Sequence, residues 1–217
     1  MATPRTPSGI RIYMQSAIGA TQALSAITKA SPAVLTYAGA DPSNGNYCAL
    51  FDMQGMTEFD DALVKVSAVD GGGNTFAAED QSSVGYGTFV SGNMAVVTLG
   101  TEIQVATGFQ MSGGEQQFAD YGLLWDTVMR KFPTTQNAAQ ITLPCIWDPS
   151  DVGMIAVRQA ADTKQKTAFK ITTADGLEIL FYGYIGASGL PKADNITSIM
   201  TTDISITLAT KPRYVIP

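Results

Sequence analysis

The chain has 217 residues, which fits one large domain or one domain carrying a smaller insert, and a chain of that length buries a core without disulfide or metal staples. With 45% apolar residues, only 15% charged residues and a net charge of −6, the composition excludes a disordered chain and argues against a protein that grips nucleic acid through its phosphates. There is no histidine, which removes the commonest general base, the Ser-His and Cys-His nucleophile pairs, and nearly all catalytic zinc sites.

In chain order, "MATPRTPSG" reads as an extended arm and lacks the apolar core of a secretory signal. "GIRIYMQSA" places Ile10, Ile12 and Met14 at period two, the spacing of a strand with one buried face. "AVLTY", "YCALFD", "ALVKVSAV" and "NTFAAED" follow as four short β runs, separated by the turn chemistry of "GADPSNGN", "MQGMTEFDD" and "DGGGN". Short strands at this spacing predict a small β-barrel or an open meander. Residues 25–95 hold eight acids and two bases, hence −6, while the rest of the chain balances at eleven of each. That asymmetry predicts a separate acidic β module over 25–94, inserted into a domain made of 1–24 and 95–217.

Residues 94–109 alternate again, with Val97, Leu99, Ile103 and Val105 on one parity, and predict one long strand bent at Gly100. "ADYGLLWDTVMRKFP" fits neither helical nor strand period and is left between the two. "AQITLPCIW" is a strand with Ile141, Leu143 and Cys145 inward. A short helix is expected over about 148–162: Asp148 suits the N-cap, Pro149 the first helical position and Asp151 the third, with Val152, Ile155, Ala156 and Gln159 sharing a face. Gly153 inside that helix costs on the order of 1 kcal/mol, so packing must hold it.

"TAFKITTADGLEILFYGYIG" predicts a hairpin around a two-residue Asp175-Gly176 turn. Counting outward pairs Ile171 with Leu180 and Phe169 with Tyr182, and leaves Thr172 with Ile179 and Lys170 with Phe181 on the other face. Both faces are apolar, which predicts that one of them meets a neighbouring subunit. Ile204, Ile206 and Leu208 mark a last strand before a Pro-bounded tail.

No residue cluster carries catalysis. Asp60 and Asp61, as neighbours on a strand, point to opposite faces and do not form a dyad. "DGGGN" and "SGG" lack the Lys-Ser/Thr and helix of a phosphate loop, and "DPSNGN" lacks the alternating acids of a calcium loop. Trp125, Trp147, Tyr182 and Tyr184 read as core ahead of a sugar site, and Cys48 and Cys145 as small buried hydrophobes. No enzyme, cofactor or metal is expected. No apolar run reaches the roughly 20 residues of a membrane-spanning helix, so a cytoplasmic place of assembly is expected.

Two blocks resemble known families. Residues 95–217 and the strand at 10–15, through "GGEQQFADYGLLWDTVMRKFP", the Trp-Asp-Pro strand end, the helix after "DPSD", the Asp-Gly hairpin, "GYIGASG" and the "ISITLATKP" strand, resemble the major tail tube proteins of long-tailed bacteriophages. The acidic third, through "ITKASPAVLTY", "NGNY", "MQGMTEFDDALVKVSAV", "NTFAAED" and "YGTFVSG", resembles the β module named for the first catalytic cysteine half-domain (FCCH) of ubiquitin-activating enzymes. That module is structural in phages and implies no ubiquitin chemistry.

The first resemblance implies an all-β fold, a β-sandwich or barrel with one flanking helix, whose six-membered rings stack into the tube that conducts the genome out of the virion. It implies self-association, contact with tail terminator, tape measure and distal tail proteins, and transient contact with double-stranded DNA in the lumen. The two termini are too poor in apolar residues to order alone, so Arg5, Arg11, Lys211 and Arg213 are expected on arms that reach neighbouring rings. Phe169, Ile171, Leu180, Phe181 and Tyr182 are expected at the core and at a subunit contact, Asp148 and Asp151 at the helix cap, and the acidic module on the outer wall. The alternative is a virion decoration or host-carbohydrate-binding β module.

Overall fold

The computed structural model describes residues 9–122, 125, 127–187, 190–193 and 198–217. Its strands are β1 (Arg11–Met14), β2 (Ala17–Ile18), β3 (Gln22–Ile27), β4 (Ala33–Tyr37), β5 (Tyr47–Gln54), β6 (Ala62–Asp70), β7 (Thr75–Ala78), β8 (Ser91–Thr98) and β9 (Thr101–Glu102). They continue with β10 (Gln110–Ser112), β11 (Gln116–Tyr121), β12 (Arg130–Gln136) and β13 (Gln140–Ile146), then α1 (Val152–Thr163), the one α-helix among the described residues. β14 (Thr167–Thr172), β15 (Glu178–Ala187), β16 (Thr201–Leu208) and β17 (Arg213–Val215) complete the chain. The all-β class with one helix is as the sequence predicts.

β2 to β8 form one sheet in the order β2-β8-β3-β4-β7-β6-β5, and β8 also pairs with β5. That pairing closes six strands into a small barrel, which removes their free edges. Its core is filled by Leu35, Leu50, Met56, Phe59, Phe76 and Met94, all buried. The boundary expected at 24/25 falls inside β3, and the sheet runs from Ala17 to Thr98. The long strand expected over 94–109 breaks after Thr98: β8 belongs to the barrel and β9 to the other sheet. There the chain crosses beside the outgoing segment, where the Ser16 amide donates to the Thr98 carbonyl at 2.8 Å.

The second sheet runs β10-β13-β16-β15-β14-β1-β9, with β17 added to β15. All its pairings are antiparallel. Every second residue points inward: Ile12 and Met14, Ile141, Leu143 and Cys145, and Ile204, Ile206 and Leu208 share a core with Phe169 and Phe181. Helix α1 adds Met154 and Val157 to that core.

Two local expectations are corrected. Helix α1 starts three residues later than Asp148 implies. Asp151 is the N-cap, its carboxylate accepting from the Met154 amide at 2.9 Å, while Asp148 accepts from the Ser150 amide and hydroxyl in the preceding turn. The buried face is Gly153, Met154 and Val157, while Val152 and Ile155 are exposed. Gly153 decides this: a Cβ there would stand 2.6 Å from the Glu102 carbonyl oxygen, so only glycine lets the helix lie on β9.

The β14–β15 hairpin is also shifted by one residue. Thr173 and Leu177 bracket a three-residue loop, with the Gly176 amide donating to the Thr173 carbonyl and Gly176 at φ +86°. A turn followed by a left-handed glycine is the three-residue form of hairpin loop. The register is therefore Ile171↔Ile179, Lys170↔Leu180, Phe169↔Phe181 and Ala168↔Tyr182.

Candidate assembly surfaces

The shifted register changes what the hairpin's two apolar faces do. Phe169, Ile171 and Phe181 lie in the core of the eight-stranded sheet, where the Phe169 and Phe181 rings stack 5.3 Å apart. Leu180 and Tyr182 face the barrel and pack with Ala168 and Val215 against Ala49, Leu63 and Val97. All five hairpin residues expected at a core and a subunit contact are thus buried within one chain. The second face does meet a neighbour, but that neighbour is the chain's own barrel.

Charge pairs flank this apolar seam. The Tyr47 hydroxyl donates to Glu178 at 2.9 Å and receives from the Lys170 ammonium at 3.1 Å, while Lys65 lies 3.2 Å from Glu178 and 3.4 Å from Glu79. Elsewhere on the seam Lys166 donates to both oxygens of Asp61 at 2.6 Å. Burial opposes the charge on Lys65 and Lys166, but the facing carboxylates more than offset it and raise both ammonium pKa values. Burial, reinforced by Glu178, pushes the Tyr47 phenol well up.

The C-terminal segment is not a free arm. β17 pairs with β15, and Val215 is buried. Arg213, 9% exposed, donates to Gln81 Oε1 at 3.0 Å and to the Glu58 carbonyl at 2.6 Å, and its guanidinium sits 4.5 Å from the Phe59 ring centre. The Gln81 amide returns a bond to the Tyr214 carbonyl, and Asp80 accepts from the Ile216 amide. Enough side-chain and backbone partners within the chain order this tail without a second ring. Lys211 is exposed, as is Arg11, whose Nε lies 3.9 Å from Glu102. Arg5 lies outside the described residues.

What remains open to other molecules is a surface the sequence left ambiguous. β11 and β12 pair only with each other, and every residue of both strands is exposed. Phe118 is 56% and Phe132 61% exposed, and Tyr121, Trp125, Val128 and Met129 are exposed with them. An isolated two-stranded ribbon is at best marginally stable in water, and exposed aromatic residues on both of its faces, Phe118 on one and Phe132 with Tyr121 on the other, mark an interaction site. No buried face imposes a period on its sequence, so the only available signal was the density of large apolar residues between polar ends. The eight-stranded sheet also ends in open edges at β10 and β9. Beside the latter runs a groove of about 620 Å³ lined by residues 9–12, 102–104 and 106–109.

Nothing in the described residues assembles a reactive centre. No group of three or more His, Cys, Asp or Glu is placed to hold a metal ion among them. Asp60 accepts from the Met53 amide while Asp61 is held by Lys166, so the two carboxylates serve separate structural bonds. Cys48 and Cys145 are buried, and burial pushes their thiols up to about 12 and about 11. Tyr182 is buried at the seam while Trp125 stands exposed between β11 and β12, so those two aromatics do not line one cleft. No helix of the described residues is long and apolar enough to cross a membrane.

No curated protein matches the chain. The family described as phage tail tube protein, TTP, matches residues 54–216, a span that begins at the last residue of β5 and takes in β6, β7 and β8 of the barrel and every strand of the eight-stranded sheet except β1. With three quarters of its length inside that match, a β-rich fold and an outward-facing apolar ribbon, the chain belongs to the phage tail tube protein family.

Proposed function

We propose that the protein forms hexameric rings that stack into the tail tube of a long-tailed phage, through which the genome leaves the virion. The observation that carries this reading is the exposed β11–β12 ribbon on a chain of the tail tube family. Its apolar side chains stay wet in the isolated subunit, and a second copy is the partner present at high local concentration in a homopolymer. A protruding ribbon received elsewhere on an identical subunit is a head-to-tail contact, which generates closed rings or open stacks. The open edges at β10 and β9 suit extension of the sheet from one subunit to the next, which removes edges that otherwise invite aggregation.

The role is assembly and passive conduction, without catalysis. The ends of the tube meet terminator and distal tail proteins, and its bore holds the tape measure protein before DNA; these contacts are built in the host cytoplasm. Six barrels at −6 place about 36 negative charges on each ring, which repel least on the outer wall, where they are solvated and far apart. The test is sedimentation of the parent protein beside a Phe118→Ser/Phe132→Ser variant. The parent sediments as rings or tubes, and the variant stays a folded monomer with unchanged far-UV circular dichroism. Tubes formed equally well by the variant would remove the ribbon from assembly.

A further inference from the structure

At one end of the seam the barrel and the eight-stranded sheet part around a cleft of about 490 Å³. The barrel lines it with Phe51 and Asp52 of β5 and with Asp60 and Asp61 from the turn before β6. The sheet lines it with Gln15, with residues 164–166 between α1 and β14, and with Tyr182 and Tyr184 of β15. Small-molecule sites favour such junctions between two packed units, and this volume falls in their usual range of about 300–1,000 Å³.

Tyr182 is the residue that points to a ligand. It is only 7% exposed, yet its hydroxyl has no hydrogen-bond partner among the described residues. A buried tyrosine ordinarily finds one. The groups whose charges act on this phenol, Asp61, Lys166 and Tyr184, all line the cleft, so the hydroxyl opens into it. Burial raises its pKa and keeps it a neutral group that both donates and accepts. Further capacity around it is uncommitted. Asp60 uses Oδ1 on the Met53 amide at 3.0 Å and Asp52 uses Oδ2 on the Asn93 side chain at 3.1 Å, which leaves one oxygen of each. Gln15 accepts from the Ala168 amide through Oε1 at 3.1 Å, which leaves its Nε2. Lys164 is exposed and has no ion pair among the described residues. Tyr184, expected in the core, is 44% exposed and presents a flat apolar ring beside them. Asp52, Asp61 and Lys164 are also three of the six non-glycine residues with left-handed backbone among those described. Such backbone is costly for a residue with a Cβ and concentrates at ligand sites.

The uncommitted groups select among ligands. Lys166 and Asp61 neutralise each other, which leaves two carboxylates, one ammonium, one amide nitrogen and one hydroxyl. A phosphate or other anion meets the two carboxylates and is repelled. An organic cation meets Lys164, and gives that ammonium and the Gln15 amide nothing to donate to. An apolar ligand strands every polar group in the cleft. A neutral sugar fits all of them: its hydroxyls donate to Asp52 and Asp60 and accept from Lys164 and Gln15, and its C–H face lies on the Tyr184 ring. We infer that the seam cleft binds a neutral saccharide, with Tyr182 as the buried hydroxyl that the sugar completes. This adds ligand recognition to a subunit whose other surfaces serve assembly, and it does not depend on the tube reading.

The test is saturation-transfer NMR on the full chain, as subunits and as assembled tubes. The probes are glucose, galactose, N-acetylglucosamine and their short oligomers, with sialic acid, glucose 6-phosphate and spermidine as charged comparators. At least one neutral sugar should bind both forms, and the comparators should not. Tyr182→Phe removes only a hydroxyl with no protein partner, so it should leave the melting temperature unchanged while weakening binding on the order of tenfold. Tyr184→Ala and Asp60→Asn should weaken it as well, the latter keeping an acceptor for the Met53 amide. Binding of no neutral sugar, or of a charged comparator in its place, overturns the inference. So does unchanged affinity in Tyr182→Phe, and so does binding by subunits but not by tubes, which would make the cleft a subunit contact. Failure of the parent to form tubes would overturn the tube reading alone, because the subunit measurement still decides this one.

A second arm separates a glycan chain from a free sugar as the source. Resins of immobilised galactan and dextran that retain parent protein, but not Tyr182→Phe, assign a polymer. Binding of free sugars with no retention by either resin assigns a small saccharide. Equal retention of parent and Tyr182→Phe would place polymer binding outside the cleft and overturn the assignment.

Discussion

Replacing Arg213 separates two roles for the C-terminal segment. If the residue served a neighbouring ring, its loss would leave the subunit intact and weaken stacking. Its surroundings say otherwise. The guanidinium is 9% exposed, makes two hydrogen bonds across to the barrel and lies over Phe59. Burial lowers its pKa, and no carboxylate lies within salt-bridge distance of it among the described residues. Arg213→Met keeps the stem but orphans Gln81 Oε1 and the Glu58 carbonyl, at about 1–3 kcal/mol each. Relief of a buried charge returns part of that loss. A net destabilisation of about 2–4 kcal/mol follows, or roughly 4–16 °C in Tm for a chain of this size. Arg213→Lys, which keeps the charge but loses the fork, should fall between. Urea unfolding measures the loss, and hydrogen exchange locates it at β17 and residues 79–82. Lys211→Ala, at an exposed site, is the control near zero. An Arg213→Met subunit within about 0.5 kcal/mol of the parent, with tubes abolished, would refute the clamp and restore the inter-ring role.

Phe181→Ala and Leu180→Ala should each destabilise the monomer by about 2–5 kcal/mol, read by denaturant titration, because each fills a core within one chain; a stable monomer that fails to assemble would return that face to a subunit contact. Asp151→Ala should cost about 1 kcal/mol of thermal stability through loss of the Met154 cap, and Asp148→Ala less; the reverse order would restore Asp148 as the cap. Stability should fall as pH rises through about 10, measured by urea titration between pH 9 and 11. The Lys65 and Lys166 ammonium groups and the Tyr47 and Tyr182 phenols hold their protons more tightly in the folded state, so the unfolded chain releases protons first and alkali favours it. A flat profile there would show that the seam pairs contribute nothing.

The parts of the fold that the sequence made legible are those where one face of a strand is buried. Ile141, Leu143 and Cys145, or Ile204, Ile206 and Leu208, alternate because water excludes one parity and tolerates the other. The barrel strands were legible for the same reason, with turn residues between them. Loop length was not. "TADG" satisfies both a two-residue and a three-residue turn, and one residue of register exchanged the faces taken by Phe181 and Tyr182, so that Phe181 and not Tyr182 lies beside Phe169. The cap was equally degenerate, since Asp148 and Asp151 both precede helical spacing, and the choice depends on how closely Gly153 lies on β9.

The seam between the sheets was visible only as a surplus of apolar residues on the hairpin, and the sequence alone gave no means to identify the chain's own barrel as what covers it. Arg213 followed the same logic, because a cation near the end of a chain reads as solvated until Gln81, Glu58 and Phe59 are seen around it. The β11–β12 ribbon had no period to read, because nothing among the described residues buries either of its faces.

Electron microscopy of the purified protein at rising concentration tests the central claim most directly. The account predicts rings with a central pore that stack into tubes of constant diameter, with end-on averages showing six-fold symmetry. A population that remains monomeric at every concentration, or associates into particles with no pore, would contradict it.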